Sequence, residues 1–207
     1  GKSTLIRLLG RFYDFPDGML FLDDVDINHL HSRDVRSRVG VVLQDFHIFS
    51  GTILDNILLG DPTITRDIAI EAAKTVNAHG FISSLRDGYD TVLLERGTNL
   101  SQGERQLLAF ARVLAADPEV LVLDEATASI DTETELLIQD GLEKLMADRT
   151  AILIAHRLQT IQQADKILVL QSGKVIEYGS QMELLELKGL YHTLHNLQFQ
   201  DLRTVSD

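Results

Sequence analysis

Short runs of valine, isoleucine and leucine recur along this chain and limit its fold more than any other feature. Four such runs occupy residues 39–43, 120–123, 151–155 and 167–170. They lack the apolar–polar alternation of a half-exposed strand, so we expect strands that are covered on both faces. The first three are predicted to be buried parallel strands, and the fourth precedes a turn at Ser172 and Gly173.

Helical patterns separate these runs. Apolar residues recur with helical spacing in residues 5–10, 104–116, 132–146 and 159–164. Strands that alternate with helices predict an α/β fold with a layered core. Residues 183–200 are amphipathic and predict a helix that ends the fold.

Two regions depart from this alternation. Residues 17–28 alternate between apolar and polar side chains, which is typical of antiparallel strands. Residues 53–88 carry helix-like segments that are broken at Gly60, Pro62 and Gly80. This second region is predicted to be a small helical lobe inserted into the core.

The composition excludes several classes of protein. The 207 residues include no cysteine, which rules out disulfides, thiolate zinc sites and a cysteine nucleophile. A net charge of −12 repels nucleic acids, so we expect no nucleic-acid partner. No apolar run reaches the roughly 18 residues of a membrane span, so we expect this stretch itself to be soluble. Because it begins at Gly1 without a methionine, we expect it to be cut from a longer protein.

The first four residues match half of a phosphate-binding motif. Gly1, Lys2, Ser3 and Thr4 precede a helical pattern, as the end of G-x-x-x-x-G-K-[ST] does. In that motif, N–H groups at the helix start hold phosphate, the lysine reaches the β- and γ-phosphates, and the hydroxyl binds Mg²⁺. Taken alone, four residues equally fit an unrelated sequence in front of a helix.

Two carboxylates follow the apolar run at 120–123. Asp124 and Glu125 stand where an open α/β sheet places its ligands, at the end of a strand. Asp124 could hold the Mg²⁺ shell and Glu125 could polarise a water for attack on a γ-phosphate. The alternative is a strand that simply ends in solvent.

A third pattern opens the helix predicted after residue 101. Ser101 and Glu104 have the spacing of a capping box, in which each side chain binds the other residue's backbone N–H. On its own the pattern indicates a helix start and nothing more. Its position, about one helix before Asp124, makes the order of the motifs informative.

Taken in order, these motifs resemble those of the nucleotide-binding domain of ABC transporters. Residues 1–4 resemble the end of Walker A, 100–104 the signature LSGGQ, 120–125 Walker B, and 128–131 the D-loop; Gln44 resembles the Q-loop glutamine and His156 the switch histidine. The resemblance covers nearly the whole chain. It implies a P-loop NTPase with a RecA/F1-like core of layered αβα type. It also implies one domain over 1–207, with the ATP-binding core in 1–52 and 98–207, a helical subdomain in 53–97 and a remnant of an antiparallel β subdomain.

The resemblance assigns the residues that would bind and hydrolyse Mg-ATP. Gly1, Lys2, Ser3 and Thr4 would bind the phosphates. Ser3, Gln44 and Asp124 would act at Mg²⁺. Gln44 would also sense the attacking water, Glu125 would be the general base, and His156 would hydrogen-bond the γ-phosphate. The glycine-rich half of Walker A is expected upstream of Gly1.

Other residues would act on a second domain. The family holds two nucleotides between two head-to-tail domains, so Ser101, Gln102 and Gly103 would contact the partner's ATP and Asp131 would signal across the interface. Gln102 stands where glycine is usual and Glu104 where glutamine is usual. Such a signature resembles those of heterodimeric exporters with one degenerate site, so a homodimer and a heterodimer both stay open.

The function implied is ATP hydrolysis that powers export across a membrane. The transmembrane part would lie upstream in the same chain, and this domain would lie at the cytoplasmic face of the cell membrane. Glu95–Gly97 resembles the short segment that exporters place against their membrane domain, although a polar turn explains it equally. The alternatives are a soluble ABC-type ATPase of DNA repair or translation, and a nucleotide-binding module without hydrolysis.

Overall fold

The computed structural model describes residues 2–43, 47–124, 131–154 and 161–204, without the side chains of Ser3 and of 198–204. The described helices are α1 (Lys2–Leu9), α2 (Ser32–Arg38), α3 (Ile53–Leu58), α4 (Arg66–Thr75), α5 (Ala78–Ser84), α6 (Gln102–Ala115), α7 (Thr132–Met146), α8 (Gln181–Glu186) and α9 (Leu190–Thr204). The described strands are β1 (Phe21–Leu22), β2 (Val25–Asp26), β3 (Val39–Val42), β4 (Gly51–Thr52), β5 (Val92–Leu93), β6 (Val120–Asp124), β7 (Thr150–Ile154), β8 (Ile167–Gln171) and β9 (Lys174–Gly179). The chain groups into two compact units, one of Arg7–Leu153 and one of Gly1–Ile6 with Ile154–Asp207.

The central sheet of the larger unit has the order β3-β6-β7. Strands β3 and β6 are parallel, with Val39 opposite Val120 and Val42 opposite Leu123. The middle of β6 is fully buried, as the apolar run predicts for a strand covered on both faces. The strands predicted at 39–43, 120–123 and 151–155 are present as β3, β6 and β7, but β7 is only partly buried, and Ala155 lies outside the described residues.

Helices α3, α4 and α5 lie in the region that the sequence marks as a helical lobe. The short antiparallel pair β4 and β5 brings the two ends of this region together, with Gly51 opposite Leu93. Its helices share one apolar core with α6, to which Ile53, Ala73 and Leu108 all contribute. The helices are thus built around α6, the helix that follows the predicted signature.

Residues 17–28 form the predicted antiparallel feature. Strands β1 and β2 pair with Phe21 opposite Asp26. The buried Asp26 accepts hydrogen bonds from the backbone N–H of Gly18 and, at 2.9 Å, from that of Asn28. These two bonds lower the pKa of Asp26 below its usual value. They also tie Gly18 and Asn28, which flank the β1–β2 pair, to Asp26.

The smaller unit corrects the prediction for residues 167–170. Strands β8 and β9 form an antiparallel hairpin through the Ser172 and Gly173 turn, where both φ angles are positive. Val169 is buried whereas Leu168 is 46% exposed, so β8 is covered on one face and not on both. An antiparallel strand can leave one face to solvent, which an apolar run alone did not indicate.

The tail corrects a second prediction. The amphipathic pattern of 183–200 predicts one helix, but α8 ends at Glu186 and α9 begins at Leu190. The Glu177 carboxylate accepts hydrogen bonds from the N–H groups of Leu190 at 2.5 Å and Tyr191 at 3.0 Å. It thereby satisfies orphan donors at the start of a new helix.

Among the described residues, no helix is both long enough and apolar enough to span a bilayer.

Candidate functional site

The start of α1 carries the predicted phosphate-binding residues that the structure describes. Lys2 is the first residue of the helix, and Lys2 and Thr4 are exposed. No acidic side chain stands in the first turn. Within this turn no carboxylate offsets the positive end of the helix dipole and the Lys2 ammonium, which suits a phosphate group.

Asp124 is the last residue of β6, directly after the buried Leu121, Val122 and Leu123. Its side chain is partly exposed, so the carboxylate stands where the strand leaves the core. A carboxylate in that position has the chemistry that Mg²⁺ prefers, which is a hard oxygen ligand beside space for water.

Ser101 and Glu104 form the capping box that the sequence predicts. The Ser101 Oγ accepts from the Glu104 N–H at 3.2 Å, and Glu104 Oε2 accepts from the Ser101 N–H at 2.7 Å. The glutamate thus stabilises the start of α6, where its negative charge is favoured by the helix dipole. Gln102 is exposed beside this turn.

Gly103 is buried between the starts of two helices. A Cβ atom added to it would overlap Cγ2 of Thr134 and would lie 3.5 Å from Cδ1 of Ile138. Both neighbours belong to α7. The glycine is therefore required by close helix packing, a role that the signature resemblance does not include.

Asp131 caps α7. Its Oδ1 accepts a hydrogen bond from the Thr134 N–H at 2.9 Å, and this bond is the main cause that lowers the pKa of Asp131. The side chain is exposed at the end of the predicted D-loop. The carboxylate is consequently ionised at neutral pH and held in a fixed place.

The starts of α6 and α7 face the same open cleft of about 540 Å³. Side chains of α4, α5, α6 and α7 line it together with the cap of α6, among them Lys74, Phe81, Ser101, Glu104, Thr134 and Leu137. Ser101 and the Asp131 turn are thus brought to one region of the surface, although they are far apart in sequence.

From the sequence we did not predict the polar cluster in which Arg112 of α6 contacts His47 and Asn56. Arg112 donates from Nε to the Asn56 carbonyl oxygen at 2.8 Å and from Nη1 to the His47 carbonyl oxygen at 2.8 Å. Burial lowers the pKa of Arg112 to about 10. A signal for this cluster was present in the sequence. Arg112 is a charged residue within the apolar stripe of α6, four residues after the buried Leu108 and three before the buried Ala115.

The segment at Glu95–Gly97 forms a 3₁₀ turn, with Gly97 buried at a φ of 63°. A Cβ at Gly97 would lie 3.1 Å from the side chain of Ile48, so the turn packs on the segment that follows Gln44. This placement suits both interpretations of the turn.

Four of the predicted site residues lie outside the described ranges. They are Gly1, Gln44, Glu125 and His156. Their roles remain predictions from the sequence.

Comparison with known proteins identifies the family. The model of the family described as ABC transporter matches residues 1–128, more than half of the chain. The chain belongs to the ABC transporter family.

Full-length relatives extend this ABC similarity over nearly the whole chain. An uncharacterized ABC transporter ATP-binding protein of Bacillus subtilis is 49% identical over 97% of the chain, which covers 33% of that protein. ABC transporter B family member 4 of Dictyostelium discoideum is 47% identical over 94% of the chain and 25% of that protein. A Staphylococcus aureus protein with the provisional name of multidrug export ATP-binding/permease protein is 46% identical over 96% of the chain and 34% of that protein. The chain spans a third or less of the length of the first two relatives.

A solved structure supports the same assignment. A bacterial ABC exporter of the Atm1 family, determined with ATP bound, superposes with a TM-score of 0.86 at 43% identity over 96% of this chain and 35% of that one. The predicted fold class, an α/β P-loop NTPase of the ABC type, is therefore confirmed, as is the likeness to the exporter branch.

Proposed function

We propose that this chain binds and hydrolyses ATP and that it powers export as one domain of a larger membrane protein. The observation that carries the proposal is the similarity to the ATP-bound exporter, which extends over 96% of the chain. The exposed Lys2 at the start of α1 and the carboxylate at the end of β6 have the chemistry that Mg-ATP needs.

The proposed roles follow the order of the motifs. Gly1, Lys2, Ser3 and Thr4 bind the phosphates, and Ser3, Gln44 and Asp124 hold the Mg²⁺ shell. Bound Mg²⁺ would neutralise charge that develops on the phosphate oxygens. Glu125 orients the attacking water and takes its proton, while His156 donates a hydrogen bond to the γ-phosphate.

The proposed partner is a second nucleotide-binding domain in head-to-tail arrangement, of the same or of a different subunit. Ser101, Gln102, Gly103 and Asp131 would meet the ATP held by that domain. The exposure of Ser101, Gln102 and Asp131 is compatible with such an interface. A transmembrane domain in the same protein would place this domain at the cytoplasmic side of the membrane.

We further propose that residues 53–97 act as a helical subdomain on an ATP-binding core of 1–52 and 98–207. The antiparallel pair β4 and β5 supports this division because it joins the two ends of the helical region.

A soluble ABC-type ATPase of DNA repair or translation is the less favoured function. The Staphylococcus aureus relative is named for both ATP binding and a permease, and the similar solved structure is an exporter. The net charge of −12 also opposes a nucleic-acid partner.

The test is Mg²⁺-dependent ATP hydrolysis by the complete protein in lipid bilayers, compared with its Asp124→Asn variant. Losing the carboxylate should slow hydrolysis and raise the Mg²⁺ concentration required, with little change in melting temperature. Asp148→Asn is the matched control, because Asp148 is exposed in a turn at a φ of 60°, which asparagine tolerates. A parent protein without ATPase activity would contradict the proposed function, and unchanged hydrolysis in Asp124→Asn would remove Asp124 from the site.

A further inference from the structure

The start of the signature helix and the start of α7 are joined by one close contact. Gly103 is the second residue of α6 and Thr134 is the third residue of α7. The Thr134 methyl occupies the space where any larger residue at 103 would put its Cβ. Gly103 does not have a positive φ, so the glycine is needed for space and not for backbone conformation.

Thr134 also belongs to the turn at Asp131. Its N–H donates to Asp131 Oδ1 at 2.9 Å. One residue thus touches two features of the proposed ATP interface, the D-loop aspartate through its N–H and the signature glycine through its methyl group. Ser101 and Thr134 line the same cleft, so both turns face one region.

Helix α7 is also held two turns further along the same face. A Cβ at Gly141 would lie 2.8 Å from the Val76 carbonyl oxygen, so α7 packs directly on the backbone after α4. The Asn77 side chain donates to the Leu137 carbonyl oxygen at 3.0 Å and to Asp140 at 2.6 Å. Because these contacts tie the later turns of α7 to the backbone after α4, a displacement caused at Gly103 should move the start of α7, where the Asp131 turn lies, more than the rest of the helix.

We propose that Thr134 is a positioning residue that sets the distance between the Ser101 turn and the Asp131 turn through its contact with Gly103. This inference rests on the proposed function, since both turns are proposed to meet the partner's nucleotide. Widening the gap between α6 and α7 would move the two turns apart. Hydrolysis would slow because the two turns move apart: the Thr134 methyl takes no part in the chemistry, and the proposed contact of Gly103 with ATP is made by its backbone, which alanine keeps.

The geometry supplies a compensating pair of substitutions. Gly103→Ala should force the two helix starts apart, because the new methyl overlaps Thr134 Cγ2. Thr134→Ser deletes that methyl and keeps the hydroxyl and the N–H that donates to Asp131. After this deletion the neighbours nearest to the new Cβ are Thr134 Cβ and Ile138 Cδ1, both at 3.5 Å, which is ordinary contact. The double variant should therefore fit.

The experiment measures kcat and KM for Mg-ATP in the complete protein, together with hydrogen exchange of the Thr134 amide. Gly103→Ala should lower kcat roughly tenfold and speed that exchange. Gly103→Ala/Thr134→Ser should return both to the values of Thr134→Ser alone. Gly103→Ala/Thr132→Ser is the matched control: it deletes a methyl two residues earlier in α7 and should restore neither.

The outcomes separate the two proposals. A parent protein that does not hydrolyse ATP contradicts the proposed function, and the positioning role of Thr134 falls with it, although amide exchange still reports the contact. If the parent is active and adding Thr134→Ser to Gly103→Ala restores exchange but not kcat, the alanine methyl itself disturbs the ATP contact and the positioning role of Thr134 is wrong. If the Gly103→Ala variant has the same kcat as the parent, the positioning role of Thr134 is wrong as well.

If Gly103→Ala does not fold, the ATPase rates of Thr134→Val and Thr134→Ala test the positioning role of Thr134 instead. Both lack the hydroxyl, but only valine keeps a methyl over Gly103. We expect the valine variant to hydrolyse ATP several-fold faster, although alanine is the better helix former. Equal rates, or a faster alanine variant, would overturn the positioning role.

Discussion

The guanidinium of Arg112 lies 3.0 Å from the side-chain oxygen of Asn56, which is 1% exposed. The same asparagine oxygen accepts from the Phe49 N–H at 2.9 Å, and the Arg112 guanidinium carbon lies 5.7 Å from the centre of the Phe49 ring. These contacts hold His47 and Phe49 against α6. The desolvation cost of this partly buried cation is offset by carbonyl oxygens and an aromatic face.

Arg112→Lys should destabilise the protein although it keeps the charge. A lysine has one nitrogen and cannot reach all the acceptors that the guanidinium contacts, so the buried Asn56 and the His47 carbonyl oxygen would lose partners. We expect a loss of about 2–3 kcal/mol in the free energy of unfolding, measured by urea titration. Arg86→Lys, at an exposed arginine, is the control and should cost little. Equal stabilities of the two variants would show that the Arg112 cluster contributes nothing specific.

Two glycines should respond to alanine in opposite directions. At Gly141 a Cβ would press on the Val76 carbonyl oxygen, whereas at Gly80, inside α5, no atom lies within 4 Å. Gly80→Ala should stabilise the protein by about 0.5–1 kcal/mol because alanine loses less backbone entropy in a helix. Gly141→Ala should destabilise it by about 1–3 kcal/mol. Thermal unfolding of both variants tests this, and a shift of the same sign in both would contradict the packing described for α7.

Glu183 should make the stability of the smaller unit, which contains β8 and β9, decrease at acidic pH. Hydrogen bonds from Ser180, then the ion pair with Lys166, lower the pKa of Glu183 to about 2. Since the folded pKa lies below the ordinary value, this carboxylate stabilises the fold above about pH 5 and progressively less as the pH falls towards 2. The loss of melting temperature between pH 7 and pH 3 should therefore be smaller in Glu183→Gln than in the parent. Glu186→Gln, on the same helix but outside the capping box, should keep the parental difference, and identical losses in all three proteins would contradict the role of Glu183.

Local patterns predicted most of the fold. The runs at 39–43 and 120–123 became β3 and β6 because a buried parallel strand is apolar on both faces. Helix α7 spans 132–146 as predicted, since Asp131 caps its start. The break between α8 and α9 was missed because it depends on Glu177, which lies in the neighbouring hairpin.

The candidate site likewise contains features that local sequence patterns predicted and features that depend on contacts between distant residues. The capping box of Ser101 and Glu104 is local and was predicted from four residues. The packing role of Gly103 depends on Thr134, which belongs to a different helix, and the Arg112 cluster depends on Asn56 in α3. A local sequence pattern does not predict contacts between residues of different helices.

The central claim, that this chain hydrolyses ATP with Glu125 as the base, is tested most directly by Glu125→Gln in the complete protein. Glutamine keeps the shape of the side chain but cannot accept the proton of the attacking water, so the ATPase rate should fall by about 10²–10⁴-fold. ATP binding should be equal or tighter, because the repulsion between the carboxylate and the γ-phosphate is removed. The measurement is the steady-state ATPase rate beside the equilibrium binding of Mg-ATP for both proteins. A slow variant that binds ATP as well as the parent is the predicted result, and undiminished hydrolysis by Glu125→Gln would contradict the account.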